Sequence, residues 1–90
     1  MKAMKAWQWI EKGWCRHVSA QDTMGGAVSP SSKTAVSFCL MGALARVYKG
    51  VRYRPIDKLI QNELRGSLSQ WNDAQRTARP VIALLKRLNL

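Results

Sequence analysis

The residues able to do covalent or metal chemistry in this 90-residue chain are few: Cys15, Cys39, the single histidine His17, and the polar side chains Asp22, Asn72 and Asp73. Cys39, His17 and Asn72 are the residue types of a thiol hydrolase, supplying a nucleophile, a base and an orienting amide. Cys39, however, stands in the most apolar stretch of the chain, which predicts the interior of a helix, whereas a reactive thiolate needs an accessible electropositive setting. The expectation is a packed thiol and no catalysis. Cys15, His17 and Cys39 are also zinc-ligand types, but there is no Cys-x-x-Cys pair and a fourth ligand would have to come from Asp22 or Asp73. Two packed thiols and a loop histidine fit better, so neither a metal nor a cofactor is expected. Asn72 and Asp73 read as helix caps.

Charge is the stronger signal. Fifteen Lys and Arg against five Asp and Glu leave a net charge of +10, which calls for a negative partner such as nucleic acid or an acidic protein face. Arg46, Lys49, Arg52, Arg54 and Lys58 fall close together and are interleaved with Tyr48 and Tyr53, the composition of a phosphate-gripping surface with stacking platforms. Lys58, Gln61, Asn62 and Arg65 continue it as a polar stripe at i, i+3, i+4 and i+7, whose side chains can donate to base edges. The competing reading is a solvated basic rim around a helix pair.

The elements that must position these residues are helical. The spine is a helix over residues 35–48, with Val36, Leu40, Ala43 and Val47 on one stripe and Phe38, Met41, Ala45 and Tyr48 on another. Gly42 in its middle implies a neighbour too close for a Cβ. A first helix spans residues 3–16, with Met4, Trp7, Ile10 and Trp14 at helical spacing and Trp9 off that stripe beside Lys5 and Lys12. Residues 17–33 form one long loop, a candidate contact segment, with Ser31 or Ser32 as the cap of the spine. A third helix runs from Pro55 to about Arg65 and buries Ile56, Leu59, Ile60 and Leu64. Leu68 and Trp71 add to the core before Asn72, which with Gln75 has capping-box spacing. The last helix, residues 78–89, tolerates Pro80 in its first turn and buries Val81, Leu84, Leu85 and Leu88. The expected fold is therefore a single, compact, all-α four-helix domain over residues 1–90, with its long loop between the first two helices.

The apolar run at residues 35–45 is too short to span a bilayer, and the start lacks an apolar core and a cleavage site, so a cytoplasmic protein without membrane contact is expected.

Gly13-Trp14-Cys15, Phe38-Cys39-Leu40-Met41-Gly42-Ala43-Leu44 and Trp71-Asn72-Asp73 with Arg76-Thr77, in that order across nearly the whole chain, resemble a small bacterial and phage family of unknown function. The resemblance implies a compact helical domain and no assigned activity. Sequence thus points to a non-enzymatic binding module that applies Arg46, Lys49, Arg52, Tyr53, Arg54, Lys58, Gln61, Asn62 and Arg65 to nucleic acid or a nucleoprotein complex. The alternative is a phage-encoded inhibitor docking on a host protein, and a remote third is a Cys39-dependent hydrolase.

Overall fold

The computed structural model describes residues 4–90. Its helices are α1 (Ala6–Lys12), α2 (Leu40–Val47), α3 (Tyr53–Leu64), α4 (Leu68–Ala74) and α5 (Arg79–Arg87), with two short strands, β1 (Ala20–Gln21) and β2 (Ser37–Phe38), and a 3-10 turn at Gly50–Arg52. The fold is compact and mostly helical, but five helices and a small antiparallel sheet replace the expected four-helix, all-α arrangement.

The main correction falls on the spine, whose N-terminal third is extended. On one side, the N–H groups of Val36 and Cys39 donate to the carbonyls of Gln21 (2.8 Å) and Ser19 (3.0 Å). On the other, Phe38 N–H donates to Gly13 O (3.0 Å) and Cys15 N–H to Phe38 O (3.2 Å). Backbone partners from two distant segments thus outcompete the local helix. Val36, off the helix, is 43% exposed instead of buried. The helix itself begins only at Leu40, where Cys39 and not Ser31 or Ser32 is the cap.

The glycine inside α2 behaves as expected. A Cβ on Gly42 would lie 1.9 Å from the carbonyl oxygen of Ser19, so the 19–21 segment packs directly onto the helix backbone. Leu40, Ala43 and Leu44 of α2 are fully buried with Ile10 of α1, Phe38 of β2, Ile60 of α3 and Leu85 of α5. Burying each large aliphatic side chain stabilises the fold by roughly 1.5–3 kcal/mol. Trp9 is half-buried, edge-on to Phe38 at 5.4 Å between ring centroids.

In α3, Ile60 is sealed and Ile56 and Leu64 are partly covered, but Leu59 is 47% exposed because it points about 100° away from Ile60 around the helix. α4 is capped by Ser67, whose Oγ accepts the Gln70 N–H at 3.3 Å. The expected Asn72–Gln75 cap is absent, since Asn72 lies inside α4. α5 carries Pro80 in its first turn and buries Val81, Leu84 and Leu85. The chain then closes on itself, with Ala6 N–H donating to Leu90 O at 2.7 Å. No helix among the described residues is long and apolar enough to cross a membrane.

Candidate functional site

α3 carries the basic face. Its inward side is Tyr53, Ile56, Ile60 and Leu64, which leaves Arg54, Lys58, Gln61 and Asn62 within about 100° of arc on the other side, followed by Arg65 as the left-handed C-cap of the helix. All five are exposed, and so are Lys49 and Arg52 in the turn leading into the helix. The nearby carboxylates are occupied elsewhere: Asp57 accepts from Gln61 Nε2 at 2.7 Å, and Glu63 pairs with Arg87 at 2.9 Å. Among the described residues the ion pairs are Arg87–Glu63 and His17–Asp73, so Lys49, Arg52, Arg54, Lys58 and Arg65 are in none.

Two residues leave the expected set. The Arg46 guanidinium donates to the carbonyls of Pro30 (2.8 Å) and Ser32 (2.9 Å) and stacks 4.7 Å from the Trp9 ring centroid, so it fastens the 30–32 loop to the core. Tyr53 is no stacking platform either. Its hydroxyl is buried without a hydrogen-bond partner, and burial, followed by the charge of Asp57, pushes its pKa up to about 12. Tyr48 packs half-buried against the core.

The other concentration of polar chemistry centres on Asn72, which is 0% exposed and makes four hydrogen bonds. Its Oδ1 accepts from Trp14 Nε1 (2.8 Å) and Leu40 N–H (3.0 Å), and its Nδ2 donates to Cys15 O (3.2 Å) and Asp73 Oδ1 (3.1 Å). This uses the full capacity of the amide. The three sequence pieces at residues 13–15, 38–44 and 71–73 thus meet at one side chain. Sequence singled out Asn72 but gave it the wrong task, because its partners lie 57 and 58 residues away in the first segment and 32 away in the spine.

Beside this hub lies a cleft of about 110 Å³ lined by His17, Val18, Ser19, Cys39, Ser69 and Asp73. The placement of Cys39 in a helix interior is overturned here. Cys39 caps α2, with its Sγ accepting the Gly42 N–H at 3.3 Å. The residue is 5% exposed, and burial raises its thiol pKa, opposed by the amides of Gly42 and Met41. His17 adopts φ 74°, a conformation that histidine takes more readily than most side chains, and is held there by Asp73. The Asp73 carboxylate accepts His17 N–H at 2.9 Å through Oδ1 and stands 3.6 Å from His17 Nδ1 through Oδ2. Burial works against ionisation of Asp73, but the His17 amide, the Asn72 side chain and the charges of His17 and Arg16 prevail and hold its pKa below the ordinary value. Sequence named Cys39 and His17 together, and both line this cleft with Asp73, with the His17 side chain 74% exposed. Among the described residues no group of three His, Cys, Asp or Glu side chains is arranged to hold a metal ion.

These features define a small, mostly helical, strongly basic protein with an unpaired cationic helix face and a separate thiol cleft. The chain belongs to the family of unknown function DUF6197, which matches residues 5–88. No curated protein and no solved structure matches it.

Proposed function

We propose that the protein is a nucleic-acid-binding module that grips phosphates with the outer face of α3 and the turn before it, through Lys49, Arg52, Arg54, Lys58 and Arg65. The observation that carries this reading is a run of exposed cations without carboxylate partners: Arg54 and Lys58 on the outer side of a 12-residue helix, Lys49 and Arg52 in the turn before it, and Arg65 at its C-cap. Arg54 and Arg65 are eleven residues apart, about 16 Å along the axis, enough to meet several successive phosphates. Asn62 lies between them and is free to meet a base edge, while Gln61 is held by Asp57.

The test is a titration against random duplex DNA at two salt concentrations. Wild type loses affinity as salt rises, with a log–log slope approaching about −4.5 if all five cations reach phosphates, at roughly −0.9 for each. Arg54→Glu/Lys58→Glu, verified as folded by circular dichroism, weakens binding to all sequences alike. Absence of salt-dependent binding by wild type, or equal binding by the double variant, removes nucleic acid as the partner.

A second reading rests on Val51, 90% exposed, and Leu59, 47% exposed, which flank the cations with apolar surface. An acidic protein with an apolar centre, such as a host protein inhibited by docking, fits that mixture. Capture of one protein from a nuclease-treated lysate, lost in Val51→Asp, favours it over the first.

A further inference from the structure

A cleft of about 480 Å³ opens between α2, α3 and the start of α4, at the edge of the cationic face. That volume lies within the range of small-molecule sites, about 300–1,000 Å³. We propose that this cleft receives one unpaired base of the bound strand, with guanine preferred, through the Asp57 carboxylate and the Gln61 side-chain carbonyl. The proposal rests on the reading that α3 grips phosphates and adds which nucleic acid it takes. The strand is single or locally unpaired, because the base must offer its Watson–Crick edge.

Asp57 is the first observation. In a chain of net charge +10 it is half-buried, beside Lys58 and three residues from Arg54, yet among the described residues it forms no ion pair. The hydrogen bond that its carboxylate does make is with Gln61, whose Nε2 donates to Oδ2 at 2.7 Å. That bond fixes both side chains at the cleft wall. It leaves Asp57 Oδ1 and Gln61 Oε1 as acceptors without a donor among the described residues.

Placement around the helix is the second observation. At about 100° per residue, Gln61 lies about 40° from Asp57 and about 20° from Arg54. The order from the core side outward is Asp57, Gln61, Arg54 and Lys58, so the cleft and the phosphate grip share an edge at Gln61. A strand whose phosphates rest on Arg54 and Lys58 can turn a base inward past Gln61, to where Met41 and Leu68 supply apolar surface. The acceptors then choose among bases. Guanine carries its N1–H and N2 amino group side by side and offers a donor to each oxygen. Adenine and cytosine set one amino group beside a ring acceptor, and thymine and uracil hold a single N–H between two carbonyls.

The full chain is titrated at several salt concentrations with eight-nucleotide single strands. One is all thymine, and the others carry two central guanines, adenines or hypoxanthines. The guanine strand binds at least about tenfold more tightly than the thymine and adenine strands, within the range of one good bidentate base contact. Hypoxanthine, which lacks the N2 amino group, loses most of that preference with the protein unaltered. Asp57→Asn and Gly66→Leu, each verified as folded by circular dichroism, bring the guanine strand down to the level of the thymine strand. Gly66 lines the cleft, and a Cβ there meets nothing within 4 Å, so the larger side chain fills the cleft and spares the fold. The Asp57→Asn result is diagnostic in sign, because loss of a negative charge beside a cationic face by itself tightens binding to every strand alike. Salt-dependent but equal binding of all four strands, or a guanine preference that survives in folded Asp57→Asn, overturns base recognition and leaves the phosphate grip standing. Absence of salt-dependent binding to any strand overturns both.

Discussion

Asn72 is the residue on which the polar interior depends. Replacing it with Ala would leave the Trp14 indole N–H, the Leu40 N–H and the Cys15 carbonyl without their partner. Each unsatisfied buried group costs about 1–3 kcal/mol, so Asn72→Ala is expected to destabilise by about 3 kcal/mol or more, read in a urea melt. Tyr53 is the opposite case. Its hydroxyl is buried with nothing to bond, so Tyr53→Phe is expected to raise stability by up to about 1 kcal/mol and to leave DNA affinity unchanged. Asp73 ties stability to pH. Its folded pKa is depressed, so its contribution is present above the unfolded carboxylate value of about 3.9 and is lost as pH falls through the folded value. The difference in melting temperature between wild type and Asp73→Asn is therefore expected to shrink below about pH 4.

At the level of elements, α2 is positioned by what presses on its N-terminal half. A side chain at Gly42 would run into the Ser19 carbonyl, so Gly42→Ala requires the 19–21 segment to move and is expected to cost about 3 kcal/mol, the upper end of ordinary overpacking. Leu40→Ala removes a fully buried side chain in the same turn and is expected to cost about 2–5 kcal/mol. Thermal melts of both variants check this. If both stay near wild type, α2 is not the centre of the core. α3 is a more independent unit, since only Ile60 on it is fully sealed, and its outer face tolerates charge changes without unfolding.

For the molecule as a whole, the net charge of +10 divides into cations that hold the fold and cations that face solvent. Arg46 belongs to the first group, through its carbonyl bonds and its stacking on Trp9, and Lys58 belongs to the second. Arg46→Ala is expected to lower the melting temperature while the salt slope of DNA binding stays the same. Lys58→Ala is expected to leave the melting temperature alone and make that slope shallower by about 0.9. Measuring both quantities on both variants separates fold from binding, and an Arg46→Ala protein with a shallower slope would return Arg46 to the interface.

Sequence by itself determined what local periodicity and local sterics control. The inward side of α3 apart from Leu59, the buried Val81, Leu84 and Leu85 of α5, Pro80 in a first helical turn, the close approach at Gly42 and the outward Lys58, Gln61 and Asn62 all follow from 3.6-residue spacing and backbone volume. Tertiary structure decided whatever rests on partners distant in the chain. Ser37 and Phe38 are extended because segments 13–15 and 19–21 supply their hydrogen bonds, and that shift puts Cys39 at a helix cap instead of inside a helix. Asn72, Arg46 and Tyr53 were misjudged for the same reason: a side chain's type and local spacing carry no record of the far backbone carbonyl, amide or apolar wall that it meets.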